Sequence, residues 1–121
     1  MEKCDIYLTT SDYGEGWGAV INEAMNSGCA VIASHIVGSV PYLIKDGENG
    51  LIYRYGDLNM LYNKISDLLN HPEKQKKLGQ EAYKTVTEMW NADIAAERLL
   101  KITEAILSGD KMPNLYEDGP C

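Results

Sequence analysis

The chain has 121 residues, room for one domain with a modest core that buries about two-thirds of its unfolded surface. Its formal net charge is −7, and the acid is spread along the chain, which argues against nucleic acid or an anionic membrane as the main partner. No apolar run approaches the ~20 residues of a membrane helix, and no signal peptide is visible.

Residues 1–5 lead directly into an apolar run at 6–10 (IYLTT), and a second run follows at 29–33 (CAVIA). Both are short, β-branched and bounded by turn signals, so both read as buried strands. Between them lie a glycine-rich turn, Tyr13 to Gly18, and a helix over about 18–27 expected to bury Val20, Ile21 and Ala24. Gly28 is placed to follow the helix end. The unit is β–turn–α–β, whose turn and helix N-terminus commonly form a ligand mouth.

Two carboxylates mark that mouth. Glu15 sits in the turn, and Glu23 lies inside the helix on the same face as Ala19. Helical side chains lean toward the N-terminus, so Glu23 points back at the turn that carries Glu15. Both acids can converge on one ligand, faced by the backbone N–H groups of residues 17–19. Gly14, Gly16 and Gly18 alternate, which permits positive φ and close approach of a ligand. On spacing alone, a tight connection without a ligand is an equal reading. Trp17 is expected to pack under the turn. A dinucleotide fingerprint would need G-x-G-x-x-G and an acid ending the next strand. Here the spacing is G-x-G-x-G and the strand ends in Ser34 and His35, which excludes that reading.

After Ala33, Gly38 and Pro41 mark a loop and a short helical turn, and Asp46 to Gly50 is a turn before a third strand, Leu51 to Tyr53. Asp57 is placed to cap a helix over 58–70 with a stripe of Leu58, Leu61, Ile65, Leu68 and Leu69. Pro72 suits the first turn of a helix over 73–89 that turns Leu78, Ala82, Val86 and Met89 inward. Asn91 is placed to cap a last helix striped by Ala95, Leu99, Ile102 and Ile106. Residues 108–121 are polar and rich in Gly and Pro, and are expected to be disordered. Cys4, Cys29 and Cys121, with His35 and His71, have no metal spacing, and read as small buried residues of a reducing cytoplasm. No Asp-x-Asp triplet appears, so no metal is expected.

Glu15 and Glu23, set in EGWGAVINEAMNSGCAVIAS (15–34), are followed by VGSVPYLIKDGENGLIY (37–53), by GDLNMLYNKISDLLNHPEKQKKLG (56–79) and by Trp90 ahead of the last helix. This ordered set resembles the E-x7-E region of family 4 glycosyltransferases, retaining enzymes of the GT-B fold, over about residues 4–107. The resemblance implies an α/β fold: a partial Rossmann-like parallel sheet of about three strands with flanking helices. It would be the C-terminal part of a GT-B second domain, ending in two or three helices. Residues 1–107 would form that part, begun partway through the domain, and 108–121 a tail.

The implied reaction transfers a sugar from a nucleotide-diphosphate sugar to an acceptor hydroxyl with retention, in surface polysaccharide or glycolipid synthesis. Within it, Glu23 is assigned to the ribose hydroxyls. Glu15, the catalytic candidate, would hold hydroxyls of the transferred sugar. Gly16 and the backbone N–H groups of Trp17, Gly18 and Ala19 would receive the diphosphate at the helix N-terminus. Where the family commonly reads Gly-Gly-x-Pro-Glu, this chain has Gly38, Ser39, Val40, Pro41 and Tyr42, so Tyr42 replaces the acid. No Lys or Arg lies between Cys4 and Ile44, although a diphosphate clamp usually includes one. The chain is therefore expected to carry half a donor site, with the remainder of the enzyme as its partner, and to transfer nothing alone. An uncovered sheet edge is expected to drive homo-oligomerisation. The full-length enzyme would be cytoplasmic, at most peripheral at the inner membrane face. Rival readings are a non-catalytic nucleotide-sugar-binding or scaffold module, and a GT-B phosphorylase or epimerase.

Overall fold

The computed structural model describes residues 4–111 and 115–120. Three strands, β1 (Ile6–Thr9), β2 (Ala30–Ser34) and β3 (Leu51–Tyr53), form one parallel sheet in the order β1-β2-β3. Ile6 pairs with Ala30, and Ile32 with Leu51. The helices are α1 (Ala19–Asn26), α2 (Val40–Leu43), α3 (Leu58–Asn70), α4 (Pro72–Glu88) and α5 (Ala92–Leu107). This is the α/β class expected from the sequence.

Strand β2 is buried along its whole length because both of its faces are covered. Its residues alternate between two cores. Val31 and Ala33 join Ile21, Ala24 and Met25 of α1 and Ala82 and Val86 of α4 on one face. Ala30 and Ile32 join Leu51, Tyr53 and Leu68 on the other, with Leu78 reaching in from α4. Helix α4 touches the α1–β2 connection so closely that a Cβ on Gly79 would lie 2.1 Å from the Gly28 carbonyl oxygen.

Helix limits follow local chemistry. The Asp57 carboxylate accepts from the Met60 amide, and Asn91 Oδ1 accepts from the Ile94 amide, as the sequence predicts. Gly28 takes φ 73° just past Ser27, the C-cap of α1.

Five packing expectations are corrected. β2 begins at Ala30 rather than Cys29, because the first ladder pair is Ile6 with Ala30. β1 is not a buried strand: Leu8 is 38% exposed, since no described strand covers its far edge. In α1, Val20 faces outward and Met25 takes the core place, because the helix begins at Ala19 and its buried face runs through Ile21, Ala24 and Met25. In α3, Leu58 and Leu69 are exposed and only Leu68 is fully buried, since β3 is three residues long and covers one narrow strip. α5 buries none of its residues, and Leu99 and Ile106 of the expected stripe are exposed.

Of the segment after α5, residues 115–120 lie against that helix. Arg98 Nη1 donates to the carbonyls of Asp118 and Pro120, the Arg98 guanidinium stands 4.3 Å from the Tyr116 ring centre, and Lys45 Nζ is 3.4 Å from Asp118. Cys121 lies outside the described residues. No helix among the described residues is long and apolar enough to cross a membrane.

Candidate functional site

The mouth lies at the carboxyl ends of the three parallel strands, where open α/β sheets receive ligands. Tyr53, at the end of β3, donates its hydroxyl to the Thr9 carbonyl at the end of β1 across 3.3 Å, and burial pushes its phenol pKa up. This bond ties the two outer strands together above β2.

From Thr9 the chain enters the glycine turn. Asp12 closes it, its carbonyl accepting from the Glu15 amide at 3.1 Å and its carboxylate from the Gly14 amide at 2.8 Å. The Glu15 side chain is held in turn. Ser11 Oγ donates to Glu15 Oε2 at 3.0 Å, and Thr9 Oγ1 donates to Ser11 Oγ at 3.3 Å. Glu15 is half-buried at the end of this relay.

Gly18 then takes φ 74°, a left-handed conformation that only glycine adopts without strain. A Cβ there would also lie 2.6 Å from Val37 Cγ1. The turn of direction at Gly18 starts α1 with no side chain capping it and no acid in its first turn. The Ile21 amide donates back to the Gly18 carbonyl at 2.9 Å, and helix geometry leaves the amides ahead of it in the first turn for solvent or an anion.

Glu23 is exposed on α1, one turn after the exposed Ala19, while Ile21, Ala24 and Met25 point into the core. The expected face of the helix therefore carries Glu23. Glu15, Gly16, Trp17, Gly18 and Ala19 are contiguous at its N-terminal end. The loop after β2 braces them: the Gly38 amide donates to the Gly16 carbonyl and the Ser39 amide to the Trp17 carbonyl, both at 3.0 Å.

Trp17 does not pack under the turn. It is 44% exposed and its Nε1 donates to Asn22 Oδ1 at 3.1 Å. Its ring stacks on Tyr42 with centres 5.8 Å apart and 24° between planes, and both rings meet Trp90, at 6.0 and 6.4 Å. The core beneath the turn is already filled by Val37 and Ile21, which leaves the indole outside. Tyr42, which stands where the resemblance led one to expect an acid, is one of three rings in mutual contact. Across the mouth, the Tyr13 and Tyr55 rings meet edge to face at 5.6 Å, and the Tyr55 amide donates to His35 Nδ1, which puts the imidazole proton on Nε2.

Sequence reasoning did not foresee the Ser11–Glu15 bond, the press of Gly38 on Gly16 or the Tyr42–Trp90 contact. Ser11 carried a signal: a hydroxyl four residues before a turn carboxylate can reach it. Among the described residues, no group of three or more His, Cys, Asp or Glu could hold a metal ion.

The sequence profile described as "Glycosyl transferases group 1" matches residues 1–85. The chain is 36% identical over 92 residues to a trehalose synthase of Pyrococcus horikoshii, covering 76% of this chain and 21% of that protein. The solved C-terminal domain of a glycosyl transferase group 1 family protein from Francisella tularensis matches with a TM-score of 0.63 and 34% identity, over 69% of this chain and 42% of that one. Anabaena HepE, solved in complex with UDP, matches with a TM-score of 0.71 and 27% identity, over 88% of this chain and 28% of that one. The chain thus spans between about a fifth and two-fifths of the length of these proteins. Its fold is that of part of the C-terminal domain of a GT-B glycosyltransferase, and the chain belongs to the glycosyl transferases group 1 family.

Proposed function

We propose that this chain forms the donor-binding part of a retaining glycosyltransferase of family 4, which moves a sugar from a nucleotide-diphosphate sugar to an acceptor hydroxyl. The observation that carries the reading is the Ser11-held Glu15 beside the uncapped N-terminus of α1, on the loop that leads to Glu23. Carboxylates are strong acceptors for sugar and ribose hydroxyls. Glu23 takes the ribose, and Glu15 takes hydroxyls of the transferred sugar and acts at the reacting end. Gly16 lets the backbone approach, and the amides of Trp17, Gly18 and Ala19 receive the diphosphate, where charge grows as the sugar leaves. No metal held by this chain takes part. The acceptor belongs to surface polysaccharide or glycolipid synthesis.

Residues 4–44 contain no Lys or Arg. Two carboxylates without a cation repel a diphosphate, so the clamp comes from elsewhere in the enzyme. Residues 1–107 then act as a portion of the donor domain with 108–121 as its tail, and the chain alone binds donor weakly and transfers nothing.

Ligand-observed NMR with UDP-, GDP- and ADP-sugars tests this on the chain and on Glu23→Gln. Saturation of one donor's ribose and sugar protons, lost in the variant, is expected. Saturation that is indifferent to Glu23 would overturn the assignment. Transfer by the purified chain, abolished in Glu15→Ala, would overturn the half-site.

A further inference from the structure

The aromatic cluster of Trp17, Tyr42 and Trp90 borders a cleft that the donor reading leaves unused. The cleft has a volume of about 640 Å³ and lies between α2, the turn at 45–49, α4 from Lys77 onward and Asp118 of the C-terminal segment. That is within the ~300–1,000 Å³ range of small-molecule sites. Neither Glu15 nor Glu23 lines it. Its connection to the mouth is Trp17, which follows Glu15 and Gly16 in the turn and stacks on Tyr42.

Two properties define what would fit. The first is a ring wall open to water. Tyr42 is 63% exposed, and Trp90 and Met89 continue the wall to the end of α4. Three aromatic rings in mutual contact on a surface keep apolar area in water that a ligand with an apolar face would cover. The wall is rigid on its inner side. Asn49 is buried and fixes the turn opposite, its Nδ2 donating to the Leu43 carbonyl and to Thr85 Oγ1, both at 2.9 Å, while its Oδ1 accepts from the Lys45 amide at 2.7 Å.

The second property is charge balance. Lys84 pairs with Glu81 at 2.7 Å and Lys45 with Asp118 at 3.4 Å. That leaves Lys77 set against Glu48 and Glu88 on the remaining lining. A nucleotide, a phosphate or an anionic headgroup would meet no net positive field here. A ligand without charge, with one apolar face and a rim of hydroxyls, meets both properties. A pyranose ring has that form: its C–H face covers an aromatic ring, and its hydroxyls both donate and accept, which suits a rim of ammonium and carboxylate groups.

We propose that this cleft is a second saccharide-binding site, taking an uncharged pyranose of an oligosaccharide against Tyr42 and Trp90, separate from the donor mouth. Tyr42 is its main contact, which gives a physical role to the residue that stands where the resemblance led one to expect an acid. The site stands on its own observations and does not depend on the donor assignment. A saccharide held there lies next to the loop that carries Glu15, so a chain bound at one place could be presented near the other.

The test is saturation-transfer NMR on the intact chain with three uncharged probes: maltotriose, mannotriose and N-acetylchitotriose. At least one is expected to receive saturation, concentrated on ring C–H protons of one face. Tyr42→Ala should weaken that binding about tenfold, the upper end of what a ring contact supplies. Tyr42→Phe, which keeps the ring, should retain it, and this variant guards against misfolding of the alanine form. Glu15→Gln, at the residue assigned to sugar hydroxyls in the mouth, should leave this saturation unchanged. Absence of saturation with all three probes would overturn the proposal, and so would saturation that survives Tyr42→Ala. Saturation abolished by Glu15→Gln would move the saccharide to the donor mouth and also overturn it. The donor reading is judged separately, by the nucleotide sugars alone.

Discussion

The amide of Gly38 donates to the carbonyl of Gly16 across 3.0 Å, and a Cβ on Gly38 would lie 2.5 Å from that same oxygen. The loop after β2 is thus pressed directly on the loop after β1, backbone to backbone, and the position of Glu15 depends on that approach. Gly38→Ala should destabilise the chain by about 1–3 kcal/mol, the usual cost of overpacking. It should also weaken donor binding more than a distant substitution of equal cost. Urea unfolding and donor titration by NMR measure the two effects.

Gly18 faces a double constraint, its φ of 74° and the Val37 methyl 2.6 Å from where a Cβ would stand. Gly18→Ala should cost about 1–2 kcal/mol for the left-handed backbone alone. The methyl contact adds to that. Trimming the contact in Gly18→Ala/Val37→Ala should recover only the steric part beyond the cost of Val37→Ala itself. A double-mutant cycle by urea unfolding separates the two terms. Full additivity would mean that the loop moves away from Val37 without cost.

Ser11 acts through Glu15. Loss of its hydroxyl in Ser11→Ala frees the carboxylate to rotate, and the loss should appear in the sugar half of the donor only. UDP-sugar binding is expected to weaken several-fold, while UDP binding stays unchanged, and Ser11→Thr should restore the difference. A hydrogen bond to a charged group contributes about 1.5–3 kcal/mol, and partial exposure here reduces that. An equal loss for UDP and UDP-sugar, read by the same titration, would make Ser11 a structural residue.

Burial pushes the Cys29 thiol pKa up, with Cys4 nearby adding to the effect. The fold therefore disfavours the thiolate. The sign follows directly: the contribution to stability is complete below the unfolded thiol value of about 8.5 and is lost as pH rises above it. The urea midpoint should fall above that pH, and Cys29→Ala should remove this part of the fall. Cys4 is exposed, against the sequence reading of it as buried, so iodoacetamide mapping by mass spectrometry should label it well before Cys29.

The far edge of β1 and the outer face of α5 are open in the described chain. We propose that they drive self-association, as unpaired edges and exposed apolar faces do. Light scattering at high micromolar concentration should report a mass above 13.5 kDa, and Leu99→Glu/Ile106→Glu should reduce it. A monomer throughout would refute this.

Local chemistry was legible wherever one turn of chain decides the outcome. The Asp57 and Asn91 caps, the left-handed Gly28, the stop before Pro72 and the three strands each depend on neighbours within a few residues. The local arrangement of the candidate mouth was legible for the same reason: Glu15, the glycine turn and the N-terminus of α1 are contiguous, and helical geometry alone turns Glu23 to the face of Ala19.

What the sequence by itself determined, then, is the order of elements, the parallel α/β class and the placing of the two carboxylates, because those follow from periodicity and short-range hydrogen bonding. Tertiary structure alone decided which side chains had something to pack against. Leu58 and Leu99 carry the same apolar surface as Leu68, yet only Leu68 is covered, because burial needs a facing element and periodicity does not supply one. It also decided that Trp17, Tyr42 and Trp90 meet. They come from a turn, a short helix and a helix junction far apart in the chain, and only the packing of α1 and α4 on one face of β2 brings those places together.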